Sequence, residues 1–290
     1  MTGIDAAAPP DDAAASGASP WRRFGILNAL FALWLIAMLI AALFGPAFLA
    51  EQAMLPRLDF RLKPPDAANW LGTDAVGRDI LARVVVAARP TLTIALGGVA
   101  VGLVIGTLIG TLAGYCGGWV NLVCMALVDI KLGFPTILFA IGVIAVFGSD
   151  TANLVIVIGV TGFVTYARVQ RGVVLKIKAQ PYIEAARAVG SSHARILALH
   201  VVPNALSPLL IVASIDLVRV ILLEASLSFI GLGIQPPTPS WGGMINAGRD
   251  YLQTAWWICV GPGLVIMLTA LGISRLGDWL RDELDPSLVT

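Results

Sequence analysis

The sequence predicts an all-α integral membrane protein with six transmembrane helices, and three observations predict it. Charged residues are 13% of the 290 and hydrophobic ones 58%, whereas a soluble domain carries about 25% charged residues to keep its surface dissolved. Two long stretches, from Pro90 to Val128 and from Tyr251 to Ser274, hold no charge at all. Six apolar runs reach the roughly 20 residues a helix needs to cross the hydrocarbon core.

Taken in order, residues 1–20 (MTGIDAAAPPDDAAASGASP) are rich in Ala, Pro, Ser and Asp. They can bury little and are expected to form a disordered cytoplasmic tail. Trp21-Arg22-Arg23 precede the first span, at 24–49. That run exceeds the roughly 7–15-residue core of a secretory signal peptide and reads as a retained anchor. Residues 21–90 are thus an anchor helix plus an extracytoplasmic loop, and 91–290 a larger membrane domain. The second span, 91–115, carries Gly98, Gly102, Gly106, Gly110 and Gly114 along one face. Such a row lets backbones approach closely, either within the chain or against a partner subunit. The third, 120–148, is too long for a straight crossing and contains Asp129, Lys131 and a kink signal at Phe134-Pro135. Placing the two charges near an interface avoids a cost of about 2.5–3.5 kcal/mol each at mid-bilayer. The remaining spans are 153–173, 205–227 and 255–276.

Orientation follows the positive charges. Residues 168–204 hold Arg168, Arg171, Lys176, Lys178, Arg187 and Arg195 against a single acid, Glu184. Residues 50–90 hold as many Lys and Arg, but Arg22, Arg23, Arg275 and Arg281 sit beside the two termini. With six spans, the termini and the 168–204 loop share the cytoplasmic side, and loops 50–90 and 228–254 face outward.

Several function classes lose their parts. A net charge of +1 argues against a nucleic-acid partner. There is no Gly-Lys pair, hence no phosphate-binding P-loop, and no HExxH, GxSxG or CxxC pattern. No catalytic residue, metal site or cofactor is expected, and Cys116, Cys124 and Cys259 read as free, buried thiols. The informative segment is 180–204, QPYIEAARAVGSSHARILALHVVPN. Residues 182–189 favour a short helix, Gly190 can end it in a left-handed cap, Ser192 can start the next, and Pro203 is expected to end that one. Two short helices at a rigid corner suit a docking element, although an ordinary re-entry loop would look similar.

The stretch EAARAVG at 184–190, followed by Val202-Pro203, resembles the EAA loop of binding-protein-dependent ABC permeases. His200 departs from that pattern, standing where an apolar residue is common. Three further stretches resemble the dipeptide, oligopeptide and nickel permeases, of the second-permease type. They are NWLGTDAVGRDILARVVVAAR at 69–89, LEASLSFIGLGIQPPTP at 223–239 with Trp241-Gly242 after it, and the tail LGDWLRDELDP at 276–286. The resemblance implies a type I ABC importer transmembrane domain over 91–290, set in the bacterial inner membrane. Its partners would be membrane lipid, a second homologous permease, two cytosolic ATPases that hydrolyse the ATP, and an extracytoplasmic solute-binding protein. It implies ATPase coupling through Tyr182, Glu184, Ala185, Ala186, Gly190 and Pro203, with a local Glu184–Arg187 ion pair as the alternative. Asp216, Arg219 and Glu224 are candidates for lining half of a translocation pathway, or for a structural ion pair. Asp74, Arg78, Asp79 and Trp241 are candidates for docking the binding protein, or for a lid, with an interfacial helix running through Arg89. Peptide cargo is the favoured reading, nickel or another small solute the alternative, and a stand-alone secondary transporter the more distant one.

Overall fold

The structure is a computed structural model that describes residues 20–284, with side chains from 25 to 283. The expected disordered tail therefore lies, but for Pro20, outside the described residues, as do the last residues of the tail motif. Among the described residues there are ten α-helices: α1 (Pro20–Met54), α2 (Ile80–Cys116), α3 (Gly118–Leu132), α4 (Thr136–Phe147), α5 (Thr151–Lys178), α6 (Pro181–Ala188), α7 (His193–Ile196), α8 (Val202–Phe229), α9 (Trp241–Gly248) and α10 (Trp257–Leu284). Of these described helices, five are long and apolar enough to cross a membrane. The pair α3 and α4, bent by 89° at Gly133–Pro135, makes a sixth crossing if it is one span. The bend falls where Pro135 removes a donor, and Gly133 N–H closes the last turn on Asp129 and Ile130.

α2 and α5 form the spine. Gly98, Gly102, Gly106, Gly110 and Gly114 all face α5, which settles the partner of the glycine row as a helix of the same chain. A methyl at Gly98 would sit 2.7 Å from Ile158 Cγ2, and one at Gly102 3.0 Å from the Gly159 carbonyl. At Gly106 it would collide with Tyr166 and the Phe163 carbonyl. With little hydrophobic drive between helices in lipid, this backbone approach supplies the packing. Hydrogen bonds add to it: from α5, Gln170 Nε2 donates to Thr111 Oγ1 of α2 at 2.8 Å, and Arg171 Nε to Asn121 Oδ1 of α3 at 2.6 Å.

The first span is tied on by Arg89. Pro46 lies inside α1 and, lacking an N–H, leaves the Ala42 carbonyl without its helical donor. Arg89 Nε donates to that carbonyl at 2.8 Å, and Arg89 Nη2 to the Leu43 carbonyl at 2.6 Å. The expected interfacial helix ending at Arg89 is corrected here. α2 begins at Ile80 and runs without a break through Pro90 to Cys116, because a membrane helix can absorb a proline where neighbours re-satisfy the backbone. The thiol expectation is corrected in part, since Cys116 is exposed and Cys124 and Cys259 are half-buried.

Candidate functional site

Three polar regions stand out on this apolar frame. The first is the corner at 179–203, smaller than the loop read from the sequence because α5 extends to Lys178. Pro181 opens α6 at a position whose N–H needs no helical partner. Gly190, at φ +83°, closes it: its N–H donates to the Arg187 carbonyl at 2.9 Å and Ser191 N–H to the Ala186 carbonyl at 3.0 Å, the paired bonds of a Schellman cap. Ser192 Oγ then caps α7 by accepting from Arg195 N–H at 3.3 Å. The expected stop at Pro203 does not occur. α7 passes through a π-helical turn, Leu197–Val201, directly into α8. Pro203 falls in the first turn of α8, where its missing N–H is absorbed by the wider π spacing.

A small core holds this corner in place. Ile183 and Ile196 are wholly buried and pack with Val174, Ile177, Val201 and Tyr115. Tyr115, at the end of α2, roofs it. Its hydroxyl lies 2.8 Å from His193 Nδ1, Lys178 Nζ donates to its carbonyl at 2.7 Å, and the Arg187 guanidinium stands 6.0 Å from its ring centre. Tyr115 was not singled out by sequence reading, although a polar-tipped aromatic ending an apolar span marks a membrane interface. Above this core Tyr182, Glu184, Ala185 and Gly190 are exposed and Ala186 half-buried. Among the described ion pairs none joins Glu184 to Arg187, so the carboxylate projects from α6 without a local cation.

The second region lies mid-span. Arg219 Nε donates to Asp216 Oδ1 at 2.6 Å, the i, i+3 pair read from the sequence, and Tyr166 from α5 donates to Asp216 Oδ2 at 3.0 Å. Asp216 is buried, while the Arg219 side chain is 42% exposed, so the cluster presents its cation outward. Glu224 is not part of this cluster. It is wholly buried two turns further along α8, accepting from Ser228 Oγ at 2.7 Å, and Ser228 in turn meets Ser240 Oγ at 3.2 Å.

The third region is the cap made by loops 55–79 and 230–256. Asp74 accepts from the backbone of Val76 and Arg78 and from Arg78 Nε at 2.7 Å, with Arg83 Nε at 3.6 Å. Asp79 Oδ1 caps α2 through Ala82 N–H at 2.7 Å. Trp241 is wholly buried, its indole N–H donating to the Val84 carbonyl at 3.0 Å, and Trp257 donates to the Thr73 carbonyl at 3.2 Å. The start of α9 is thus seated on α2, and the start of α10 on loop 55–79. Of the four residues read as a docking surface, Arg78 retains partial exposure, whereas Trp241 presents no surface to another protein. At the rim, the N–H of Asn69 and then of Ala68 hold the Asp66 carboxyl below its ordinary range.

The geometry of a glycine-seamed helical bundle with a projecting corner matches known proteins. The chain is 37% identical to the dipeptide transport system permease protein DppC of Alkalihalophilus pseudofirmus, over 97% of this chain and 94% of that protein. It is 41% identical to the glutathione transport system permease protein GsiD of Shigella flexneri, over 92% and 89%. Among solved structures it is similar to the MetNI methionine ABC transporter in an inward-facing conformation, with a TM-score of 0.54 at 19% identity over 71% of this chain and 96% of that one. At that identity the likeness shows the fold, a type I ABC transporter transmembrane domain. Residues 106–290 match the family described as binding-protein-dependent transport system inner membrane component. Near-full-length identity above a third and the family match over most of the chain agree, and on both counts this multi-pass membrane protein belongs to the binding-protein-dependent transport system inner membrane components.

Proposed function

We propose that this chain is one of two related permeases in an ATP-driven importer of di- and oligopeptides, glutathione included, with two cytosolic ATPases and an extracytoplasmic binding protein. The relatives named above are dipeptide and glutathione permeases, which favours peptide cargo over nickel. The termini and the 179–203 corner face the cytoplasm in this reading, supported by the cations around the corner.

The observation that carries the mechanism is a projecting α6 welded to two spans. Tyr182, Glu184, Ala185, Ala186 and Gly190 form the contact to an ATPase, the small alanines allowing close approach and Glu184 offering a charge-assisted bond. When the ATPases close, α6 moves. Ile183 and Ile196 carry that motion into α8 through the continuous π turn, and Tyr115 carries it into the α2–α5 spine. α8 bears Asp216 and Arg219, so the lever ends on the exposed Arg219 guanidinium. That cation, lining the pathway, suits the carboxylate end of a peptide, while Asp216 and Tyr166 hold its side chain in place. Arg78 and the surface around it receive the binding protein, and the paired charges beneath keep that platform rigid.

The test is uptake of a labelled dipeptide into proteoliposomes containing the whole importer. Glu184→Ala should lower ATP-driven uptake by roughly tenfold or more, the loss of one charge-assisted contact, without loosening the bundle. Unchanged uptake in a variant with residues 184–190 replaced by Gly and Ser would refute the coupling role.

A further inference from the structure

Two cavities border α2 and the α7–α8 helix. One, of about 270 Å³, is walled by Leu103, Val104 and Leu108 on one side and Val202, Leu206 and Leu210 on the other. Val104 is 56% and Leu108 60% exposed, so the cavity opens off the face of this chain. The other, of about 500 Å³, is bordered by Tyr115, Cys116, Lys178, Arg187, His193 and Leu197. From Leu108 to Tyr115 the helical rise is about 10 Å. On the opposite wall the π turn at Leu197–Val201 begins at a residue bordering the second cavity and ends next to Val202, which borders the first. The inner cavity is apolar. The outer one gathers Lys178, Arg187 and His193 with no acid on its border.

An apolar slot leading within about 10 Å to a cationic mouth is the shape of an acyl chain and its phosphate. Basic pockets between membrane helices on the cytoplasmic side suit anionic head groups, and a cation cluster in the interfacial zone is stabilised when its charge is met. We propose that this groove holds one anionic phospholipid of the cytoplasmic leaflet, its phosphate among Lys178, Arg187 and His193 and an acyl chain along Val104, Leu108 and Leu206. The leaflet rests on the orientation proposed above; the binding chemistry does not. Because Arg187 belongs to α6 and Lys178 to α5, the phosphate bridges the corner to the spine and stiffens the lever.

Native mass spectrometry of the purified whole importer, stripped of lipid and titrated with phosphatidylglycerol, phosphatidylcholine of the same chains, or glycerol phosphate, tests this. Phosphatidylglycerol should be retained well above the other two. Lys178→Gln with Arg187→Gln should weaken that retention roughly thirtyfold, the effect of two cations at a membrane surface. Equal retention of phosphatidylcholine overturns the proposal, as does binding of glycerol phosphate as tightly as the lipid, which would make this a free phosphate site. Cross-linking of a Leu206→Cys variant to the second permease would overturn it too, by showing that a protein helix fills the slot. If the double variant fails to assemble, the three-ligand comparison on the unaltered importer still decides.

Discussion

The two ends of the bundle are built in opposite ways. At the cap, a buried charge cluster is met inside the chain: Asp74 is met by Arg78 and Arg83, Arg83 also donates to the Ala53 carbonyl at 3.0 Å, and Trp241, at the start of α9, is sealed against α2. At the corner a thin apolar layer of Ile183, Ile196 and their neighbours is all that is buried, and Glu184 and Val189 stand in solvent. A surface seated on a buried, paired charge cluster is a platform, which resists deformation. A surface with free charge on a thin, well-anchored core is a handle, which awaits something to pull it. Buried polar groups that are fully met rigidify what they join, so the difference assigns stiffness to one end and transmission to the other.

The comparison breaks first if the cap proves soft. Trp241→Ala removes a fully buried indole and its bond to the Val84 carbonyl, and should cost about 3–5 kcal/mol. The expected outcome is a large fall in the thermal midpoint of the purified complex, read by loss of the monodisperse peak on size exclusion after heating. A midpoint shift no larger than that of a corner variant would sink the platform reading. The next effect lies in the spine that both ends share. Gly106→Ala pushes a methyl against Tyr166 and the Phe163 carbonyl, an overpacking worth about 1–3 kcal/mol. It should lower the midpoint, whereas Gly142→Ala, in open space on α4, should leave it unmoved.

Much of this was legible in the sequence wherever the cause is local. Length and apolarity located the spans, Gly190 and Ser192 marked the caps, and the three-residue spacing of Asp216 and Arg219 foretold their bond. What escaped was set by contacts between distant segments. Nothing near Tyr115 says that it will roof a corner beginning some seventy residues later, and nothing near Glu224 names Ser240 as the far end of its hydrogen-bond chain. Arg89 reads as an interfacial charge until Pro46, on another helix, is seen to need a donor. Pro203 misled for the opposite reason: a local rule about proline was right about the missing donor, but a π turn relieved the consequence. The candidate docking residues show the same limit, since Trp241 reads as exposed until α2, some 150 residues earlier, is found taking its indole.

The smallest effect on stability should be the sharpest on function. Tyr115→Phe keeps the ring against the corner core and the backbone carbonyl that Lys178 meets, and removes only the hydroxyl bonded to His193. One such bond is worth about 1 kcal/mol, and Tyr115 is at the edge of the buried layer, so the thermal midpoint should scarcely move. If α6 drives the spine through this roof, however, loosening it should let the ATPases cycle without moving the spans. The measurement is the ratio of peptide imported to ATP hydrolysed in proteoliposomes. Tyr115→Phe should lower that ratio while hydrolysis persists, and His193→Ala should lower it to a similar degree with no further loss in the double variant, since both remove the same bond. An unchanged ratio in all three would mean that force reaches the membrane through α8 alone, leaving the α2–α5 spine as a passive wall.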